Sequence, residues 1–195
     1  MEETISKIWE LALPYQDKRN DVGHTQIATD FAIRLLETED GDRGVVIPAI
    51  ILHDIGWSQL DDAERKIIFS DEISKEDERR LRLKHQDEGV RLARGILESI
   101  NYDPKYVVEI LEIISQHDTR SGFFSKNDGL VRDADKLWMY SARGFKLDIE
   151  RRQDYLSPMD WYNQLDEKIK SATVFYSDKS REIARIELDK RFAEM

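Results

Sequence analysis

The sequence predicts an all-α fold, a single-domain helical bundle. Apolar residues recur at intervals of three and four along almost the whole chain, which is the spacing of one helix face. Alternating apolar and polar runs bounded by turn residues, the pattern of strands, are scarce. The 195 residues are 40% hydrophobic, which is enough to bury one core. We therefore expect residues 1–195 to form one domain.

Composition excludes several functional classes. The chain has no cysteine, which rules out disulfides, zinc-thiolate sites and thiol catalysis and agrees with a reducing cytoplasm. Its net charge is −10 and its charged stretches mix signs, so we expect no nucleic-acid polymer as a partner. No apolar run approaches the roughly 20 residues of a membrane span, and the N-terminus has no signal-peptide pattern. We expect a soluble cytoplasmic protein with no membrane partner.

The N-terminal part of the chain predicts three helices. Apolar positions in residues 5–13 predict a first helix that stops near Pro14, because proline lacks an amide hydrogen and clashes with the preceding turn. Asp21 is the predicted N-cap of a second helix. A short, very apolar third helix over residues 45–54 is predicted to be buried and to end at Gly56 in a left-handed conformation.

The middle of the chain predicts two further helices and two loops. A capping box at the start of residues 74–99 begins a long helix, and Asp103 followed by Pro104 begins the next. Residues 57–71 and 120–128 have weaker periodicity. Since such segments often carry function, we expect both to be loops beside the site.

The C-terminal part predicts more helix. Residues 129–141 are expected to be helical, and residues 161–192 form a long amphipathic stretch with a break near Ser177. This stretch is predicted either to cover the bundle or to support a homodimer.

Every histidine of the chain lies in a helical segment ahead of an Asp-Ala-Asp sequence. A carboxylate follows the second histidine directly, and another ends the Asp-Ala-Asp. These residues are His24, His53, Asp54, His85, His117 and Asp135. Imidazole and carboxylate groups together bind transition-metal ions, and without a thiolate Fe, Mn, Co, Ni and Zn are all chemically reasonable. Because adjacent helical residues point about 100° apart, His53 and Asp54 serve one site only at a helix end or through a bridging carboxylate.

The sequence resembles the HD-domain superfamily of metal-dependent phosphohydrolases, named for this His-Asp doublet. The resemblance runs from about residue 24 to 144, and it rests on residues 50–56 around the doublet and on residues 133–137. It implies a domain core at about residues 20–145, with residues 1–19 and 146–195 as packing helices. Carried over by position, it implies one or two divalent metal ions. The ligands of the first ion would be His24, His53, Asp54 and Asp135, and His85 and His117 match the two additional histidines of the binuclear branch, in which the aspartate bridges both ions.

The resemblance implies a hydrolase of phosphoester or phosphoanhydride bonds in a small phosphorylated substrate, acting through metal-activated water. The chain lacks the Gly-Tyr-Pro signature of the cyclic-di-GMP branch after His117 and the Glu-Asp pair of the guanosine-tetraphosphate hydrolases after Asp54. The runs 117–119 and 133–137 are similar to small bacterial hydrolases that include the diadenosine-tetraphosphate type. A nucleotide is therefore the expected substrate.

Several residues beside the ligands are further candidates for the site. Lys18, Arg19 and Arg120 are predicted to bind a substrate phosphate, because each lies close in sequence to a ligand. Lys136, which belongs to the resembling motif, is predicted to be catalytic together with Asp54.

Three acids and a tyrosine complete the candidates. Asp118 and Glu88 are expected to orient ligands or to accept a proton, and Asp133 to lie on the helix surface or support a ligand without binding metal. Two other functions stay open. The same six ligands resemble the HD-type di-iron oxygenases, for which Tyr15 is a faint hint, and an HD domain can also be a non-catalytic regulatory module.

Overall fold

Helices make up the regular secondary structure of the residues that the computed structural model describes, which are 2–19, 21–68, 70, 73–152 and 156–195. In chain order they are α1 (Glu2–Ala12), α2 (His24–Leu36), α3 (Arg43–Leu52), α4 (Asp62–Ile67), α5 (Lys75–Ser99), α6 (Pro104–Gln116), α7 (Lys126–Leu137), α8 (Ala142–Arg152), α9 (Pro158–Lys170) and α10 (Asp178–Glu194). Short 3₁₀ turns lie at Leu13–Tyr15, Ile55–Gln59 and Trp138–Tyr140. The predicted all-α fold is confirmed. None of the described helices combines the length and apolar character needed to cross a membrane.

Helix α3 lies at the centre of the bundle. All its residues from Gly44 to Leu52 are buried, and it packs against α1, α2, α6 and α7. A helix tolerates such burial because its backbone amides and carbonyls hydrogen-bond to one another. The predicted burial of this very apolar helix is thereby confirmed. The C-terminal end of α3 places the His-Asp doublet in the interior.

Gly56 lets the 3₁₀ turn Ile55–Gln59 touch the backbone of α5. A Cβ atom on Gly56 would lie 1.8 Å from the carbonyl oxygen of His85 and 2.5 Å from the amide nitrogen of Gly89. The predicted left-handed conformation at Gly56 is wrong, since the described glycines with positive φ are Gly23 and Gly122. Close packing between two backbones explains the glycine here.

Helix caps were predicted correctly in the middle of the chain and wrongly at α2. The side chains of Ser74 and Asp103 accept hydrogen bonds from the first turns of α5 and α6, as predicted. The N-cap of α2 is Gly23, with a φ of 90°. Because glycine has no side chain, it cannot provide a side-chain cap. Asp21, two residues before Gly23, accepts the amide of His24 through its backbone carbonyl, and its carboxylate accepts a hydrogen bond from Arg19 instead of capping the helix.

The two segments with weak periodicity differ in structure. Residues 120–125 precede α7 without helical structure, as predicted, but the expected loop at 57–71 contains the 3₁₀ turn and α4, whose capping box joins Asp61 and Glu64. A small apolar cluster of Trp57, Leu60 and Leu81 packs this segment against α5. Within that expected loop, residues 69 and 71 lie outside the described residues.

The C-terminal helices cover the bundle. The predicted break is present, because α9 ends at Lys170 and α10 begins after the N-cap Ser177. The buried carboxylate of Asp133 in α7 accepts hydrogen bonds from the amides of Tyr176, at 2.8 Å, and Ser177, at 3.0 Å. This carboxylate therefore joins the C-terminal segment to α7.

We expect Gly56→Ala to destabilise the protein by about 3 kcal/mol or more, because its methyl group would overlap the α5 backbone, which is not the end of a flexible side chain. Urea unfolding followed by circular dichroism measures the change. Gly95→Ala is the matched control: nothing lies within 4 Å of a Cβ at Gly95, so gaining the helix propensity of alanine should stabilise α5 by up to about 1 kcal/mol. Equal stability of the two variants would contradict the role given to Gly56.

We expect Asp133→Ala to lower the free energy of unfolding by about 1 to 3 kcal/mol for each amide left without its acceptor. Asp40→Ala, at a fully exposed position, should change it by less than about 0.5 kcal/mol. The same urea titration compares the two variants, and a loss no larger than that of the control would show that the Asp133 carboxylate does not join the two segments.

Candidate metal centre

The first group of metal-binding side chains comes from three helix ends. His24 is the first residue of α2, His53 follows the last residue of α3, and Asp135 lies in the last turn of α7. Asp135 Oδ1 lies 3.1 Å from His24 Nε2 and 3.3 Å from His53 Nε2, and the two nitrogens are 3.3 Å apart. Three donor atoms thus converge, although their residues are far apart in sequence.

The second group contains the other two histidines. His85 lies in α5 and His117 follows the last residue of α6, and their Nε2 atoms are 3.3 Å apart. Asp54 Oδ1 lies 3.7 Å from His85 Nε2 and 3.5 Å from His117 Nε2. These three donors are again close enough to share one ion.

Asp54 lies between the two groups. Its Oδ2 atom is 3.6 Å from His24 Nε2 and 3.5 Å from His53 Nε2, while its Oδ1 atom faces the second group. The backbone of Asp54 has already left the helix, with φ −104° and ψ 2°. A doublet whose adjacent side chains would diverge on a helix can therefore serve one centre.

Backbone carbonyls orient two of the histidines. The Nδ1 atom of His53 lies 2.7 Å from the carbonyl oxygen of Ile50, and that of His117 lies 2.9 Å from the carbonyl oxygen of Ile114. Carbonyls in the last turn of a helix have no intrahelical partner, so they accept the Nδ1 hydrogen. The Nε2 lone pair of each ring is then available to a metal ion.

Trp57 fixes the carboxylate and one imidazole. Its indole Nε1 donates to Asp54 Oδ1 at 3.0 Å, and its ring stacks on that of His85 with centroids 4.0 Å apart. Sequence analysis placed Trp57 at the start of a loop and missed this role. The sequence alone does not indicate this role, because it depends on where α5 packs against the tryptophan.

The electrostatics of the centre suit cations. Burial opposes the ionised form of Asp54, but Arg19 and the adjacent histidines outweigh it and hold the pKa of the carboxyl well below its usual range. Burial likewise opposes ionised Asp135, and hydrogen bonds with His24 and His53 keep its pKa low. Burial lowers the pKa of His85 to about 3, so this imidazole is neutral, as a metal ligand must be.

Asp118 extends the second group. Its Oδ2 atom lies 3.6 Å from His85 Nε2 and accepts a hydrogen bond from Arg82 Nη1 at 2.8 Å. The structure therefore places Asp118 beside the predicted ligands, within reach of orienting one. Arg82 was not singled out from the sequence, because its position in a mixed-charge helix resembles a solvated surface cation.

A cavity of about 260 Å³ opens onto the centre. His24, Asp54 and Asp135 form part of its wall, and Arg19 reaches it with a guanidinium that donates to both Asp54 and Asp21. Helices α8 and α9 and the preceding 3₁₀ turn supply further side chains that sequence analysis missed. These are Trp138, Arg151, Trp161 and Lys168.

Two predicted site residues point elsewhere. Lys136 lies next to Asp135 on α7, so its side chain diverges by about 100°, and its ammonium group lies 5.4 Å from the centre of the Phe123 ring. Arg120 contacts the carboxylate of Glu112 and stacks over Phe124 at 4.4 Å. Neither belongs to the wall of the described cavity, so the geometry does not support the catalytic and phosphate-binding roles predicted for them.

Other candidates also lie away from the centre. Glu88 forms an exposed ion pair with Arg91, and Asp133 binds the C-terminal backbone as described above, so neither contacts the histidines. Tyr15 packs against the main hydrophobic core. Lys18 lies in the wall of a neighbouring cavity together with Arg19.

The donor set fits divalent metal ions. Two groups of nitrogen and oxygen atoms each lie within 4.8 Å of one another. Asp54 belongs to the second group, and its Oδ2 atom also lies 3.6 Å and 3.5 Å from the Nε2 atoms of His24 and His53 in the first. Ligands that bind at about 2.0 to 2.2 Å from a common ion are separated by such distances. The donors combine imidazole nitrogens with carboxylates whose pKa is held low, which matches a first-row transition metal.

Comparisons with known proteins agree with this geometry. The sequence model of the HD domain matches residues 22–140, more than half of the chain. The crystal structure of a predicted HD superfamily hydrolase from an uncultured Thermotogales bacterium has a similar fold, with a TM-score of 0.57 and 21% sequence identity over 100% of this chain and 91% of that one. No curated protein matches. From the sequence match and the His-Asp centre, we conclude that the chain belongs to the HD domain family.

Proposed function

We propose that the protein is a metal-dependent hydrolase that cleaves a phosphoester or phosphoanhydride bond in a small phosphorylated molecule, with nucleotides as the substrate class. The observation that carries this proposal is the position of Asp54, whose two carboxylate oxygens face two separate groups of histidines. A carboxylate with one oxygen toward each donor group suits two ions held roughly 3.5 to 4 Å apart.

The proposed ligands divide between two ions. His24, His53 and Asp135 would hold the first ion and His85 and His117 the second, with Asp54 shared. When bound, such ions polarise phosphoryl oxygens, neutralise developing negative charge and activate water near neutral pH.

The surrounding side chains would position the substrate. Arg19 is the cation of the chain nearest to the shared carboxylate among those described, and its side chain is only 15% exposed. Its planar guanidinium can bind two phosphate oxygens at once. It also stacks over Trp57 at 4.9 Å, which limits the orientations available to it.

Aromatic groups in the cavity support a nucleotide as the substrate. Trp138 and Trp161, both buried, line the cavity together with Lys168. Indole rings provide flat apolar surface on which a nucleobase can stack, and basic side chains nearby can bind its phosphates. Manganese and iron are the first metals to test, because the ligands contain no thiolate.

The number of metal ions per chain tests the proposed two-ion centre. Elemental analysis of protein loaded with Mn²⁺ or Fe²⁺ should give close to two ions per chain, and His117→Ala should leave about one, because it removes a ligand of the second group alone. Glu88→Gln, a charge change in an exposed acid away from the centre, should keep the wild-type content. A wild-type content of one ion, unchanged in His117→Ala, would contradict the binuclear centre.

Hydrolytic activity tests the role proposed for Asp54. Asp54→Asn should lower kcat/KM at least about a hundredfold, since even changes to residues behind metal ligands cost about 10- to 100-fold. Phosphate release from p-nitrophenyl phosphate and a nucleotide panel in the presence of Mn²⁺ measures the effect, with Glu88→Gln as the control. Undiminished hydrolysis by Asp54→Asn would assign the activity to a contaminant. Dioxygen uptake by iron-loaded protein without phosphate release would favour an oxygenase instead.

A further inference from the structure

A second cavity, of about 360 Å³, adjoins the metal centre. Its wall combines three parts of the chain: the segment after the first 3₁₀ turn, helix α4 and helix α8. We call it the basic cavity. Its charged wall residues are Lys18, Arg19, Asp62, Arg65, Lys66 and Arg151.

The basic cavity has an excess of positive charge in an acidic protein. Five of its charged wall residues are cations and one is an acid, whereas the whole chain carries a net charge of −10. The acid, Asp62, is already paired with Arg65. Arg19 and Arg151 are also paired, with Asp54 and Asp148. The positive charge that no described carboxylate offsets is therefore that of Lys18 and Lys66, and a bound anion would offset it.

Two lysines in this wall have no anionic partner among the residues that the structure describes. Lys18 and Lys66 are exposed, and their ammonium groups form no hydrogen bond or ion pair with any residue in the described part of the chain. Most other described lysines of the chain pair with a carboxylate, as Lys84 does with Glu64 at 2.7 Å. The ammonium groups of Lys18 and Lys66 are therefore available to a ligand.

Two arginines connect the basic cavity to the metal centre. Arg19 and Arg151 belong to the walls of both cavities. The Arg19 guanidinium contacts Asp54, and Arg151 Nη2 donates to the backbone carbonyl of Arg19 at 2.7 Å. Arg19 and Arg151 thus form a positively charged connection between Asp54 and the basic cavity.

We propose that the basic cavity is an oligophosphate-binding site, which holds the distal phosphates of a substrate whose reacting phosphate lies at the metal centre. The substrate part of this proposal rests on the proposed function. Phosphate chains suit this wall because its cations outnumber its acids and two of them, Lys18 and Lys66, pair with no described carboxylate. The wall contains no aromatic side chain among the described residues on which a base could stack. The substrate class would be nucleoside polyphosphates or dinucleoside polyphosphates in preference to monophosphates.

Binding of phosphate chains to the basic cavity is measured in the absence of metal ions, so that no hydrolysis occurs. Isothermal titration calorimetry at low ionic strength, in the presence of EDTA, measures the affinity of the full chain for inorganic tripolyphosphate. Lys18→Gln combined with Lys66→Gln should weaken binding at least about tenfold, because two charge-assisted contacts to the phosphates are lost. Both side chains are exposed, so the double variant should fold normally. The matched control combines Lys179→Gln with Lys190→Gln on α10, which makes the same change in net charge and should alter the affinity less than about twofold.

Kinetics test the connection with the metal centre. For the double variant at Lys18 and Lys66, the ratio of kcat/KM for a nucleoside triphosphate to that for p-nitrophenyl phosphate should fall about tenfold, through a rise in KM for the nucleotide. An unchanged ratio would overturn the assignment of the cavity to substrate.

The remaining outcomes separate the two proposals. Equal tripolyphosphate affinity in the double variant and in the α10 control would overturn the oligophosphate site, whatever the hydrolytic activity. Selective loss of tripolyphosphate binding, with no phosphate ester hydrolysed by wild-type protein, would support the oligophosphate site and overturn the proposed function.

Discussion

The contact between the backbone of the Ile55–Gln59 turn and the backbone of α5 brings Asp54 and His85 together and so joins the two groups of the metal centre. Gly56 allows this contact, since any Cβ atom there would overlap the carbonyl of His85. The turn brings Asp54 and Trp57 against α5, and His85 projects from α5 at the same level. Without this approach the doublet would still present two ligands at the end of α3, and His117 would still follow α6, which packs on α3, but His85 would lie farther from Asp54.

Burial of charge is the second constraint on this centre. Two ionised carboxylates lie among histidines in the interior, which is unfavourable unless cations accompany them. Arg19 contacts Asp54, and Arg82 holds Asp118. Arg19 comes from the segment before α2, whereas Arg82 lies on α5, three residues before His85. The protein therefore surrounds its donor atoms with fixed positive charge, and the same charge is suited to a phosphorylated substrate.

The C-terminal helices contribute more than structural support. The family match ends at residue 140, yet α8 and α9 supply Arg151, Trp161 and Lys168 to the cavity at the centre. Asp133 holds the start of α10 through two backbone amides, so the position of this covering layer depends on α7, the helix that also carries Asp135. Substrate selection in this chain is therefore expected to depend on helices beyond the matched region.

The sequence by itself determined the helical fold, most helix boundaries and the six candidate ligands, because helix periodicity, caps and ligand chemistry are expressed by residue type and local spacing. It misassigned Gly56, whose requirement comes from a neighbouring helix 29 positions away at His85. It also linked Lys136 to the site through the resembling motif and Arg120 through its closeness to His117, whereas the Lys136 ammonium lies near the Phe123 ring and Arg120 pairs with Glu112. Only the tertiary structure decided which distant side chains share a cavity. Arg82, Arg151 and Trp161 reach the centre through the packing of α5, α8 and α9, and that packing depends on contacts between residues far apart in the chain.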